Sequence, residues 1–175
     1  MSAKILTHSG YWFDLEHPET SYISIDDIAH GLSNACRFAG QCDIFYSVAQ
    51  HCVNVSYAVD DERLALAALL HDASEAYTGD MSSPLKSLCP EFRKIEDRIQ
   101  VEICRRFCVP VEENYRIKQE DTRVLIRERE MLFNPRWKMP SVTHHGFQMQ
   151  LTEPMLPGEA KAIFKKRFRD ISKHD

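Results

Sequence analysis

The sequence predicts an all-α protein of about six helices, with a small β-hairpin near the N-terminus. Two observations lead to this prediction. Apolar residues recur at intervals of three and four along most of the longer segments, and Gly or Pro marks where those segments end. The 175 residues contain no repeat, low-complexity tract or linker, so we expect one domain over residues 1–175.

The first elements follow from local composition. The segments GYWFDL and YISI are rich in aromatic and β-branched residues and flank the turn-like HPETS, which predicts the hairpin. Ser24, with Asp27 three residues later, resembles a capping box and predicts a helix through IDDIAHGLSNACRF. Gly40 is expected to stop that helix.

Four further helices are predicted from the same periodicity. The second covers roughly residues 44–59, and the third covers RLALAALLHDASEAY up to Gly79. The fourth runs through FRKIEDRIQVEICRRFC to Pro110, and the fifth covers about 115–133. A Pro-rich connection over 134–157 shows no clear period and precedes the sixth helix.

Charge and composition exclude several classes of protein. The net charge of -4 argues against a nucleic-acid partner, and the basic tail KAIFKKRFRD has the spacing of an amphipathic helix that closes the fold. The longest apolar stretch is far shorter than the ~20 residues of a membrane span. The N-terminus has no apolar signal core, and the six cysteines form no CxxC pair. We therefore expect a cytoplasmic protein with reduced thiols and no membrane partner.

The segment LLHDASEAYTGD raises the functional question. It places His71, Asp72 and Glu75 directly after the apolar run LALAALL, where a buried helix should avoid ionisable groups. On the second and fifth predicted helices, His51 and Asp121 also fall on the inward stripe. Either these side chains form a satisfied internal network or they hold a metal ion.

The residue types favour a metal. Two imidazoles and two carboxylates suit a divalent ion such as Mn, Co, Ni, Fe, Zn or Mg. Four protein ligands on an octahedral ion would leave two positions for water and a substrate oxygen, the arrangement of a hydrolytic site. We therefore interpret His51, His71, Asp72 and Asp121 as ligands of one divalent metal ion.

The same series is similar to a known family. The order His51, His71-Asp72, Asp121 resembles the H…HD…D signature of the HD-domain metal-dependent phosphohydrolases. HDASEAYTGDMSSPLK is similar to the corresponding stretch of the bacterial 5'-deoxynucleotidase branch, and CRFAGQ with YSVAQH resembles the Arg-aromatic segment before its first ligand. Related phage dATP triphosphohydrolases share this plan. The resemblance covers about residues 5–133 and a closing helix, and it implies the HD-domain helical bundle.

The resemblance also implies roles for individual residues. Glu75 would orient or protonate a group at the phosphate, Arg37 would contact phosphate, and Asp80 would accept from the deoxyribose 3'-hydroxyl. Phe38 would stack on the base or sugar, in a position where related enzymes carry Trp, which leaves the base preference open.

Two lysines are further candidates for phosphate contacts, Lys86 in an expected loop and Lys118 on the face of Asp121. Each substrate contact has a structural alternative, such as a helix-end charge for Arg37, a core aromatic for Phe38 and a turn residue for Asp80. His144-His145 has no partner at ligand spacing and is expected at the surface.

The implied activity is hydrolysis of deoxynucleotides, with a metal-activated water attacking the α-phosphorus and the nucleoside leaving. A dNTP triphosphohydrolase that releases tripolyphosphate is the alternative, and a non-catalytic metal or nucleotide sensor on the same scaffold is another. An alarmone hydrolase is disfavoured because Ala76 stands where that family carries a second carboxylate. We also expect a homo-oligomer, with the segment 134–157 packing against a neighbouring copy.

Overall fold

The predicted all-α class is confirmed by a computed structural model, which describes residues 3–112, 115–133 and 151–172. Over these ranges the chain forms eight α-helices and one two-stranded antiparallel hairpin. The strands are β1 Lys4–Leu6 and β2 Trp12–Asp14. The helices are α1 Ile25–Asn34, α2 Val48–Ala58, α3 Ala65–Leu69, α4 Glu75–Thr78, α5 Ser83–Leu88, α6 Pro90–Arg106, α7 Tyr115–Leu132 and α8 Pro157–Ile171.

Phe13 anchors the hairpin in the core. Ile5 pairs with Phe13 in the antiparallel register, and Phe13 is fully buried. Its ring stacks on that of Tyr77 in α4 at a centroid distance of 3.9 Å. The stacking adds to the burial of apolar area, so the hairpin is held against the helix that begins with Glu75.

Helix α2 is the centre of the helical assembly. All residues from Val48 to Ser56 are buried, and the helix packs against α1, α3, α7 and α8. A helix that is buried on every side needs partners for its polar side chains. His51 lies in this buried run, so its surroundings are set by the tertiary packing.

Helix α1 lies unusually close to α4. A Cβ at Gly31 would come within 2.5 Å of the carbonyl oxygen of Ala76, so only Gly fits there. The start of α1 is as predicted, with the Ser24 hydroxyl accepting a hydrogen bond from the Asp27 amide at 3.1 Å. The helix ends at Asn34 rather than near Gly40, and a short 3-10 turn over Arg37–Gly40 follows.

The prediction of one continuous third helix is wrong. Helix α3 stops at Leu69, residues 70–74 form turns, and α4 starts at Glu75. Gln100 of α6 explains the break, because its amide nitrogen donates to the Leu70 carbonyl at 2.8 Å and its oxygen accepts from the Ser74 amide at 3.1 Å. These side-chain bonds replace helical ones, so the turn carries His71 and Asp72.

Helix α5 was not predicted, and Lys86 therefore lies in a helix instead of the expected loop. Helix α8 is longer than its predicted core and buries Phe164, and its Arg167 donates to the carbonyl oxygen of Ser56 at 2.9 Å.

All six cysteines are free, as expected, although Cys108 is exposed.

No helix in the described ranges is long and apolar enough to cross a membrane. His144-His145 and most of the segment 134–157 lie outside the described residues.

Candidate functional site

Four side chains of ligand type meet between α2, the 70–74 turn and α7. Nε2 of His51 lies 3.1 Å from Oδ1 of Asp121 and 3.8 Å from Oδ2 of Asp72. Nε2 of His71 lies 3.2 Å from the same Asp72 oxygen and 3.9 Å from the same Asp121 oxygen. The structure therefore brings together all four residues that the sequence singled out as metal ligands.

Each of the two imidazoles faces a hydrogen-bond acceptor at its Nδ1 atom. Nδ1 of His51 lies 2.9 Å from a carboxylate oxygen of Glu128, and Nδ1 of His71 lies 2.8 Å from the Ala68 carbonyl oxygen. Both Nε2 atoms are buried and have no hydrogen-bond partner among the described residues. A carbonyl or carboxylate behind one ring nitrogen, with the other nitrogen unpaired, is the usual environment of a metal-binding histidine.

These side chains fit a divalent cation. Ligand atoms of His51, His71 and Asp121 all lie within 4.8 Å of one another. Cys52 forms a second such group with His71 and Asp72. Its thiol is fully buried beside the histidine, so it is a further candidate ligand that spacing alone did not indicate.

Neighbouring charges shift the pKa values of the histidine and the two carboxylates in this cluster. Burial lowers the pKa of His71, but the Asp72 carboxylate outweighs it, and the pKa stands well above its ordinary value. The pKa values of Asp72 and Asp121 are depressed despite their burial, because His71 and His51 face both carboxylates. Two ionised carboxylates are thus maintained at the point where a cation would bind.

The cluster opens into a cavity of about 820 Å³. This volume falls in the range of small-molecule sites. All six residues predicted for substrate or catalysis line it together with three of the predicted ligands: Arg37, Phe38, Glu75, Asp80, Lys86, Lys118, His71, Asp72 and Asp121.

Glu75 is a buried carboxyl group at the wall of this cavity. Burial, with the charges of Asp72 and Asp80, raises the pKa of Glu75 to about 8 although Lys86 opposes the shift. Lys86 Nζ donates to Glu75 Oε1 at 2.8 Å and contacts Glu96 at the same distance. The second Glu75 oxygen has no partner among the described residues. Glu75 can therefore hold a proton near neutral pH and present it to the cavity.

Arg37 is buried beside the metal-ligand cluster. Its Nε donates to Glu128 at 3.0 Å, and the Glu128 charge raises the pKa of Arg37 despite the desolvation cost. The turn that presents it is strained, because Phe38 and Ala39 have φ values of 57° and 51° without being glycine. Strain of this kind is often found at functional sites. The Phe38 ring meets Phe133 edge-on at 5.2 Å and also faces the cavity.

The two remaining predicted contacts differ in their surroundings. Burial raises the pKa of Asp80, which is half-buried at the cavity wall. Lys118 is 62% exposed and donates to Oδ2 of Asp121 at 2.9 Å, so it supports a ligand carboxylate as well as lining the cavity.

Sequence reasoning missed three features of the site. Glu128 lay on the inward face of the fifth predicted helix but received no role, although a buried carboxylate two turns from Asp121 was a usable signal. Gln100 gave no signal, because its partners are backbone atoms of a distant turn. Arg129 lines the same cavity, and only the three-dimensional packing brings it there.

The chain matches known proteins over the same region. The model of the family described as 5'-deoxynucleotidase YfbR-like matches residues 42–131, which include all four candidate ligands and Glu75 but not Arg37 or Phe38. The uncharacterized protein YfdR of Escherichia coli is 38% identical over 96% of this chain and 95% of its own length.

Several relatives carry the name 5'-deoxynucleotidase, and two of them illustrate the match. The protein of Pectobacterium atrosepticum is 35% identical over 41% of this chain and 38% of its own length. The protein of Photorhabdus laumondii is 37% identical over 37% of this chain and 34% of its own length. The match to the family model spans half of the chain, and YfdR matches nearly all of it. The chain therefore belongs to the 5'-deoxynucleotidase YfbR-like family, a branch of the HD-domain hydrolases.

Proposed function

We propose that the protein is a divalent-metal-dependent 5'-deoxynucleotidase, which hydrolyses a deoxynucleoside monophosphate to the nucleoside and phosphate. One observation carries the proposal. His51 lies behind His71, Asp72 and Asp121, and these three line a cavity whose wall also includes Arg37, Glu75 and Asp80. The names of the 5'-deoxynucleotidase relatives support the substrate class.

The metal site is proposed at the four converging side chains. A bound divalent ion would polarise a phosphoryl oxygen and lower the pKa of a coordinated water. The buried Nε2 atoms of His51 and His71 would bind it in exchange for a proton where one is held, because both Nδ1 atoms face acceptors and can keep their own protons. Asp72 and Asp121 supply the negative charge that compensates the cation.

The phosphate is proposed to lie between the metal site and Arg37. The guanidinium presents up to five donors and uses Nε for Glu128, which leaves the others for a phosphate. Glu75 would hold the proton that the leaving nucleoside oxygen needs, since its pKa is raised to about 8. Positioning and charge stabilisation would then supply most of the rate enhancement.

The nucleoside is proposed to occupy the part of the cavity near Phe38 and Asp80. Phe38 offers a partly buried aromatic face for stacking, and Asp80 offers an acceptor for the 3'-hydroxyl. A carboxylate at the 3'-hydroxyl would anchor the sugar, whereas a 2'-deoxy preference would depend on what lies beside C2', since ribose and deoxyribose both carry the 3'-hydroxyl.

Product analysis tests the proposal. The protein is incubated with Mn²⁺ or Co²⁺ and a panel of deoxynucleoside mono-, di- and triphosphates, and the products are identified. We expect nucleoside and inorganic phosphate from monophosphates, and no product after chelation. Ribonucleotides serve as the matched control for the sugar. Turnover that is unaffected by chelation would contradict the metal-dependent reaction.

A dNTP triphosphohydrolase is the second candidate. Arg93 and Arg129 extend the positive lining of the cavity beyond Arg37, and a triphosphate needs such additional cations. Against this, Lys86 and Lys118 already pair with carboxylates. Release of intact tripolyphosphate would favour this activity, whereas bound metal without any turnover would indicate a sensor.

A further inference from the structure

Glu128 occupies a position that joins two parts of the site. It is fully buried on α7, and its two oxygens face different partners. Oε1 lies 2.9 Å from Nδ1 of His51, and Oε2 accepts from Nε of Arg37 at 3.0 Å. His51 is itself fully buried and Arg37 is 8% exposed, so water does not compete for these bonds.

The hydrogen-bonding capacity of the partners fixes what Glu128 must do. Arginine is a donor only, so the atom that faces Arg37 must be an acceptor. A histidine that binds metal through Nε2 must carry its proton on Nδ1, so the atom that faces His51 must also be an acceptor. A carboxylate is the side chain that offers two acceptors in this geometry.

We propose that Glu128 is a positioning residue that sets the tautomer of His51 for metal binding and at the same time aims Arg37 at the phosphate. The inference rests on the proposed metal site. Through one carboxylate, the orientation of a metal ligand and that of a phosphate contact are coupled, although Glu128 itself touches neither metal nor substrate.

The coupling makes an unusual prediction for Glu128→Gln. The amide has one acceptor and one donor, and the acceptor must face Arg37, because Arg37 has no lone pair to offer. The NH₂ group then faces Nδ1 of His51, which can accept only in the tautomer that carries its proton on Nε2. That tautomer places a proton on the atom that should bind the metal, so metal affinity falls.

Replacing Arg37 in addition should restore the metal affinity that Glu128→Gln loses. In Arg37→Met the requirement for an acceptor at that side disappears, so in the double variant the introduced glutamine side chain can turn its oxygen toward His51. Metal affinity is measured for the four proteins by titration calorimetry with Mn²⁺ alone, and thermal unfolding without metal checks the fold. We expect a loss of at least ~10-fold in Glu128→Gln, no loss in Arg37→Met, and recovery of most of the loss in the double variant.

A purely structural role would give the opposite pattern, because two damaging substitutions would weaken the fold and the metal site further. Wild-type affinity in Glu128→Gln, or a double variant that binds as weakly as the single one, would overturn the inference. Absence of Mn²⁺ binding in the wild-type protein would instead overturn the proposed metal site.

A second measurement needs no variant and applies even if Glu128→Gln does not fold. In the Zn²⁺-loaded wild-type protein, ¹⁵N chemical shifts of the His51 ring should report a protonated Nδ1 and a metal-bound Nε2. Binding through Nδ1, or a His51 that does not bind, would contradict the role assigned to Glu128.

Discussion

Gln100 accepts a hydrogen bond from the amide of Ser74 at 3.1 Å, and its side-chain nitrogen donates to the Leu70 carbonyl at 2.8 Å. A single amide group thereby closes both ends of the turn that carries His71 and Asp72. The conformation of the proposed ligand pair His71-Asp72 thus depends on a residue of α6, about thirty positions away in the sequence.

We expect Gln100→Leu to destabilise the protein by ~1–3 kcal/mol, because a buried donor and acceptor of the turn lose their partner. Metal affinity should fall as well, since the turn is free to relax toward a continuous helix. Chemical denaturation and Mn²⁺ titration measure the two effects. Gln119→Leu, on the exposed face of α7, is the matched control and should change neither. Unchanged metal affinity in Gln100→Leu would show that the turn keeps its conformation without the two Gln100 hydrogen bonds.

Replacing a proposed ligand should separate activity from folding. His71→Ala or Asp72→Ala should reduce turnover by more than ~100-fold, because the reacting groups lose the position that the metal gives them. The metal-free fold should persist, since His71 gives up one hydrogen bond, between Nδ1 and the Ala68 carbonyl oxygen, and its contact with the partly exposed Asp72 carboxylate. Circular dichroism with a chelator and phosphate release measure the two properties. His17→Ala, at an exposed site, is the control, and wild-type turnover in either ligand variant would refute the assignment.

Two of the four predicted ligands lie on regular helices. His51 and Asp121 belong to α2 and α7, which are long enough for apolar periodicity to identify their inward faces. His71 and Asp72 were also singled out, but through the apolar run before them and the ligand-type pair itself. The assumption of a continuous helix there was wrong, because the break depends on Gln100, a contact between distant residues.

Two other local features had no clear signal in the sequence. Helix α5 has six residues, too few for a period to be recognised, so the position of Lys86 could not be predicted. The turn at Arg37 uses positive φ values at Phe38 and Ala39, where glycine would ordinarily mark such a conformation. Tertiary contacts determine both features, and local sequence preference does not.

The strained turn predicts a stabilising substitution. Ala39 has φ 51° and ψ 31°, a conformation that costs an L-residue ~1–2 kcal/mol, while Gly adopts it freely at some entropic cost. Ala39→Gly should therefore raise the free energy of unfolding by ~0.5–1 kcal/mol. Ala162→Gly in the regular helix α8 should lower it by ~1 kcal/mol. Denaturant titration of both variants tests the sign, and equal destabilisation would mean that Ala39 is not left-handed in solution.

Stability should also fall in mild acid because of His30. Its ring stacks on His8 at 3.8 Å, and burial together with the charges of His8 and Lys161 lowers the pKa of His30, although Asp27 opposes the shift. The unfolded chain then binds more protons than the folded one, so the His30 contribution to stability is lost as the pH falls below ~6.5. Unfolding measured from pH 7.5 to 5 should show a smaller loss for His30→Gln than for the wild type. His17→Gln is the exposed control and should not reduce the loss.

Substitution of Lys86 tests whether this cation at the cavity wall stabilises the fold or binds the substrate. Its Nζ lies 2.8 Å from oxygens of both Glu75 and Glu96, and both carboxylates are buried. Lys86→Met leaves two neighbouring buried carboxyl groups without their shared hydrogen-bond donor, so we expect a destabilisation of ~1–3 kcal/mol, which Glu96→Gln should partly relieve in the double variant. Lys94→Met removes an exposed pair with Glu91 and should cost less than ~0.5 kcal/mol. If Lys86 only contacted phosphate, Lys86→Met would raise KM and leave the denaturation midpoint unchanged. Steady-state kinetics and chemical denaturation together therefore distinguish the two roles.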